Sequence, residues 1–202
     1  MKYDTEILEE ETGYDGFFEL KRFRLRHPLY AGGWSRELVR ERVERKRAAA
    51  VLLYDPESDR VVLIEQFRIG ALEAGRGAWM LETVGGLVEE GETPADVARR
   101  EAVEEAGCEV STLVPICEFY VSPGTATEYI HLYCGRVDAS GAGGIHGLED
   151  EGEDIRVEVM SSDAAIAELC SGRANSTSII VALQWLALHR KRLRKEWSGT
   201  TP

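Results

Sequence analysis

Over the first 45 residues the apolar positions are sparse and alternate with charged ones, the period-two signature of half-exposed strands. Three runs carry it: KYDTEILEE, FFELKRFRLRH and WSRELVRERVE. In the second, Phe18, Leu20, Arg22, Arg24 and Arg26 interleave with Phe17, Glu19, Lys21, Phe23 and Leu25, so that one face is the more apolar. From Arg47 the pattern changes to near-continuous apolar runs. AAAVLLY and VVLIEQF flank the turn residues DPESD and read as strongly apolar strands. WMLETV reads as one more strand, leading directly into Gly85 and Gly86. LVPICEFYVS, EYIHLYCGRVD and IRVEVM predict three others, and the glycine-rich, acidic ASGAGGIHGLEDEGED before the last predicts a loop. SDAAIAELCSG reads as a helix capped by Ser162 or Asp163 and stopped by Gly172. SIIVALQWLALHRKRLRKEW is a long amphipathic helix whose basic end suits its dipole. No internal repeat is visible. This order predicts an α/β fold, a mixed sheet with helices on both sides, preceded by a small N-terminal antiparallel sheet.

The densest information lies between Gly86 and Cys108, which reads GLVEEGETPADVARREAVEEAGC. Thr93 suits an N-cap, Pro94 the first helical position, and Asp96 the place from which a carboxylate reaches back to the cap. Gly107 is a natural stop, so the helix is predicted over Pro94–Ala106. On it Glu101 and Glu105 lie one turn apart, with Glu104 beside them. Like charges at this spacing weaken a helix by a few tenths of a kcal/mol per pair. A divalent ion reverses that sign, and magnesium prefers oxygen ligands. A bare E-x-x-E-E run is more often a solvated face. Here Gly86, Glu92, Arg100 and Gly107 also stand at fixed spacing, which favours a cation site. Arg100 is out of phase with Glu101 and suits a lock on the loop through Glu92 or Glu104.

Composition narrows the function classes. The 202 residues carry 24 basic and 36 acidic side chains, a net charge of −12. Such a surface disfavours nucleic acid and anionic membranes as the main partner. It also leaves a diphosphate substrate in need of neutralising cations. The N-terminal segment carries its cations in contrast to the acidic stretch around Glu101, which points to phosphate or base contacts; the plainer reading is a salt-bridged surface hairpin. Cys108, Cys117, Cys134 and Cys170 form no C-x-x-C pair and read as reduced, mostly buried thiols of a cytoplasmic protein. The four histidines do not cluster, which argues against zinc. No signal peptide and no membrane span is visible.

The stretch Gly86–Cys108 resembles the Nudix box at all seven fixed positions, with Ala102 and Cys108 smaller than the usual apolar residues. The likeness extends through YDGFFEL, LIEQFRIGA, Pro123 in VSPGTATE, GIHGLEDEGEDIRV and SIIVALQWLALH, from about Gly16 to His189. These runs resemble the bacterial ADP-ribose pyrophosphatase subgroup. The resemblance implies an α/β/α Nudix sandwich at 46–194, an N-terminal β extension at 1–45 for dimerisation and substrate contacts, and a tail at 195–202. It implies hydrolysis of ADP-ribose to AMP and ribose 5-phosphate with magnesium, or manganese in its place. Glu101 and Glu105 would be the main metal ligands, Glu104 would assist, and the Gly85 carbonyl would add a further oxygen. Glu151 would serve as base, with Glu153 its competitor, and Arg100 would support the catalytic set. Arg68 would bind phosphate. Phe17 and Arg40, from the partner subunit of a homodimer, would sandwich the adenine. Glu128 would hold the terminal ribose or the loop. Two rival readings stand beside this one: a hydrolase of another nucleoside diphosphate sugar such as GDP-mannose, and a non-catalytic ADP-ribose sensor.

Overall fold

In the computed structural model, which describes residues 4–197, the chain folds into two compact units. One comprises the chain up to Arg47 together with Phe119–Tyr129. The other comprises Ala48–Glu118 and the chain from Ile130 onward.

The first unit is a three-stranded antiparallel sheet in the order β1 (Glu6–Asp15), β2 (Glu19–Arg26), β3 (Leu38–Glu44). β1 extends past the predicted run to Asp15, and two register shifts let it follow the twist of β2. The cations of β2 are met by glutamates of β1. Lys21 Nζ lies 2.7 Å from Glu10, Arg24 Nε 3.3 Å from Glu9, and Arg22 3.6 Å from Glu11. The salt-bridged hairpin is therefore the reading that fits β2, and its charge is spent internally. Such exposed pairs add little to stability. Within the same unit the guanidinium of Arg45 stacks 4.4 Å from the Phe18 ring and bonds Glu128 at 3.2 Å.

The second unit carries the mixed sheet. Its strands are β4 (Ala48–Asp55), β5 (Arg60–Phe67), β6 (Trp79–Glu82), β7 (Val84–Leu87), β8 (Thr112–Tyr120), β9 (Tyr129–Arg136), β10 (Gly144–His146) and β11 (Ile155–Ser161). The order is β10-β11-β5-β4-β9-β8, with β4 and β9 parallel. β4 and β5 pair only over Leu53–Asp55 and Arg60–Val62. Beyond that they part: β6 pairs with β5, and β7 with the first half of β4. The single strand expected for WMLETV is thus two, because at Thr83 the chain changes partners.

The helices are α1 (Pro94–Ala106), α2 (Ser162–Ser171) and α3 (Thr177–Trp197). α1 packs Val97, Ala98, Ala102 and Ala106 on Ala49, Val51, Leu53, Val62 and Ile64, one face of the sheet. The opposite face belongs to α3, which buries Leu183, Leu186 and Leu193 and brings Trp197 to 6.4 Å from Tyr54. The Tyr54 hydroxyl donates to Asp59 (2.8 Å), which also accepts from Ser162 and faces Arg190 and Arg194 of α3. This knot explains the cap of α2. Ser162 is engaged with Asp59, so Ser161, one residue earlier than expected, accepts from the Ala164 N–H. Residues 195–197 continue α3, and the remainder of the expected tail lies outside the described residues.

Among the described residues no helix is long and apolar enough to cross a membrane. Cys108 and Cys134 are buried, whereas Cys117 and Cys170 are exposed, so only half of the thiols lie in the core.

Candidate active site

The site is built where β4 and β5 part, and α1 is its acidic wall. The helix begins as the sequence predicts. Thr93 Oγ1 accepts from Asp96 N (3.2 Å) and the Asp96 carboxylate accepts from Thr93 N (3.1 Å), a reciprocal capping box. Gly107 closes the helix at φ 62°, a conformation that favours glycine. Thr93→Ala is expected to lower stability by about 1 kcal/mol, read by urea unfolding.

Arg100 commits its guanidinium to three acids. Nε donates to Glu92 (2.9 Å), and Nη1 donates to Glu101 (2.8 Å) and Glu104 (2.9 Å). The Arg100 hydrogen bond holds the Glu92 carboxyl below its usual range. Burial pushes Glu101 up, against the pull of Arg100. Glu105 is only 2 % exposed, and its carboxylate accepts from the Gly85 N–H at 2.9 Å. Burial, then the charges of Glu101 and Glu153, raise its carboxyl to about 8, against the Gly85 hydrogen bond and the field of Arg68.

The glycines set the spacing. A Cβ on Gly86 would stand 1.7 Å from Glu101 Oε1, so the glutamate lies directly over the strand. A Cβ on Gly85 would meet the Ala49 carbonyl oxygen at 2.7 Å, because β7 is drawn tightly against β4. A backbone ligand at 85 would tolerate alanine chemically, but the backbone of β4 would have to move.

The acidic loop is more ordered than its composition suggests. It contains β10 and a 3₁₀ turn over Glu149–Glu151. Gly147 N donates to the Glu104 carbonyl at 3.4 Å, and Leu148 N donates to the Glu153 carboxylate at 3.0 Å. Glu153 therefore lies within electrostatic reach of Glu101 and Glu105. Glu151 sits exposed on the 3₁₀ turn. The loop thus brings Glu153 within reach of the α1 glutamates.

Arg68 follows β5, with Nε donating to Glu82 at 2.8 Å. Glu82 was not singled out by sequence; its signal was its place at the strand end before the glycines. Phe17 and Arg40 belong to the first unit. The Phe17 ring is 89 % exposed and packs edge-on against Phe18 at 4.7 Å. Arg40 is exposed and its guanidinium donates to the carbonyl of its neighbour Val39. Glu128, also in that unit, is held by Arg45.

The donor chemistry fits a divalent cation. Glu105 is a buried acid with no cationic hydrogen-bond partner among the described residues, and three carboxylates share one side of α1. As they stand, Glu101 and Glu104 are drawn onto Arg100, and no ready-made cage of three metal-binding side chains occurs among the described residues. The arrangement can hold a cation and an anionic substrate on it, with Arg68 within electrostatic reach of Glu105.

Comparison with known proteins places this geometry. The NUDIX domain profile matches residues 44–178. An ADP-ribose pyrophosphatase of Escherichia coli K12 is 48% identical over 197 residues, covering 98% of this chain and 94% of its own. The Haemophilus influenzae ADP-ribose pyrophosphatase is 46% identical, covering 96% and 91%. A GDP-mannose pyrophosphatase of Cronobacter sakazakii is 34% identical over 93% of this chain and 97% of its own. A crystal structure of an ADP compounds hydrolase superposes with TM-score 0.71 at 20% identity, covering 96% of both chains, a likeness of fold.

Proposed function

The chain belongs to the Nudix family, and from that premise we propose that it is a cytoplasmic, homodimeric ADP-ribose diphosphatase that releases AMP and ribose 5-phosphate. The observation that carries the reading is a buried Glu105 beside Glu101 and Glu104 on α1, within electrostatic reach of Glu153 and of Arg68. A binding protein has no need of so complete a hydrolytic acid set, which weighs against a non-catalytic sensor. The names of the more similar full-length relatives support ADP-ribose as substrate.

Glu101 and Glu105, with Glu104 and the Gly85 carbonyl, would hold magnesium or manganese. A divalent ion bound there neutralises the diphosphate and polarises its phosphorus–oxygen bonds. Arg100 keeps the carboxylates in place and prevents their mutual repulsion from splaying the helix face. Arg68 binds a phosphate through its terminal nitrogens while Glu82 fixes its plane. Glu153 or Glu151 accepts the proton of the attacking water. Phe17 and Arg40 of the partner subunit cover the adenine, for which an exposed ring and a loosely tied guanidinium are suited. Glu128 steadies the terminal ribose or the loop.

The deciding experiment is a panel of nucleoside diphosphate compounds, ADP-ribose and GDP-mannose included, assayed with and without magnesium. Release of AMP from ADP-ribose at the highest kcat/KM upholds the proposal; a preference for GDP-mannose replaces it. Glu151→Gln separates the two bases. If Glu151 is the base, kcat falls about 10²–10⁴-fold with binding unchanged. A kcat within a few-fold of wild type moves the role to Glu153, tested by Glu153→Gln.

A further inference from the structure

Alternation along β5 places Val62, Ile64 and Gln66 on one face. Val62 and Ile64 pack against α1, so Gln66 continues the row that faces the site. Glu82 stands directly opposite Ile64 on β6 and is therefore on the same face, and its bond to Arg68 brings that guanidinium there too. Gln66 thus lies between the packed core and the Glu82–Arg68 pair. It is only 7 % exposed, and its Nε2 has no hydrogen-bond partner among the described residues.

An orphaned buried amide is costly, and native interiors hold few of them. Nothing about packing asks for one here, where the preceding positions of the row are valine and isoleucine. The same rim holds a second set of idle donors. Arg68 is pinned through Nε, and among the described residues its terminal nitrogens make no hydrogen bond. Arg100, by contrast, is fully committed to Glu92, Glu101 and Glu104. On a wall of carboxylates, Gln66 near the end of β5 and Arg68 just after it are two groups with N–H bonds to spare.

We propose that Gln66 is a diphosphate-binding residue, its Nε2 donating to a non-bridging phosphate oxygen held beside Arg68, with Glu82 positioning that arginine. This deepens the proposed function and rests on it. A neutral donor at that depth suits the task. It grips a phosphate oxygen without adding a cation that would pair with Glu82 or Glu105 in the empty state.

The test is Gln66→Met, which keeps the length and removes both polar atoms. If the amide serves substrate, kcat/KM for ADP-ribose falls ten-fold or more, chiefly through KM. The Tm of the ligand-free protein meanwhile stays level or rises, since the orphaned group is gone. Activity falling while stability holds is a split that a structural role does not give. Gln66→Glu, the same shape with an acceptor for a donor, is expected to raise KM at least as far, and it serves should the methionine variant fold poorly. A kcat/KM within two-fold of wild type in either variant, as for an amide satisfied by a buried water, overturns the inference. Wild-type turnover is measured first. If it cleaves no nucleoside diphosphate compound, the functional reading fails and this inference with it. An active wild type with an equally active variant overturns this inference alone.

Discussion

Glu105→Gln is expected to lower kcat by about three orders of magnitude, some 4 kcal/mol of barrier, and yet to leave the metal-free protein folded. The two effects share one cause. Glu105 is a carboxylate held in a place that disfavours its charge, useful only when a cation shares the site. Its carboxyl titrates near 8 in the folded chain, against 4.5 for an ordinary glutamate. Between these values the folded state binds the extra proton. Its contribution to stability is therefore complete below about pH 4.5 and is lost as pH rises toward 8. Glutamine has no such slope. The metal-free variant should match wild type near pH 5 and exceed its Tm at pH 9. Magnesium should raise the wild-type Tm at pH 9 more than that of the variant, because it binds the ionised form. Thermal melts at two pH values with and without magnesium, alongside kcat, test the whole chain of reasoning. A variant within ten-fold of wild-type kcat would remove Glu105 from the metal set.

Gly86→Ala is expected to reduce kcat roughly 100-fold, about 2.7 kcal/mol, with Tm within a few degrees of wild type. The added methyl group would occupy the position of the Glu101 carboxylate, 1.7 Å from Oε1 and 2.3 Å from its carbon. What moves is the end of a flexible side chain, so folding is spared and the carboxylate is displaced. Gly85→Ala provides the contrast. There the clash is with the Ala49 carbonyl oxygen and the Ala50 Cα, so the strain falls on the sheet and should register as a loss of stability. Wild-type kcat in Gly86→Ala would mean that the position of Glu101 is immaterial to turnover.

Helix α1 was legible to the residue because its start and stop are written locally: Thr93, Pro94 and Asp96 at one end, Gly107 at the other. The core strands were legible because their apolar runs are long. The change of partner at Thr83 was not, since WMLETV holds no glycine, proline or other turn residue to mark the place where the pairing switches from β5 to β4. The strand β10 inside the acidic loop was hidden by its glycines, whose positive φ at Gly143, Gly144 and Gly147 reads as loop chemistry. Sequence put Glu151 before Glu153 by resemblance. Spacing alone could not foresee that the Leu148 N–H would hold Glu153 toward α1. Gln66 went unnoticed because two polar residues, Glu65 and Gln66, near the end of an apolar strand are an ordinary way for a strand to run out.

The knot around Asp59 bears on how this domain can be cut. The family profile stops at residue 178, one residue after α3 begins. A gene trimmed to that boundary would delete Leu183, Leu186 and Leu193 from beneath the sheet and leave Tyr54 uncovered on the α3 face. It would also strip Asp59 of both arginines that face it. The unit of inheritance recognised by the profile is therefore shorter than the unit that can fold. A chain terminated there should be recovered as aggregate, and a helix supplied in trans should find its groove already lost.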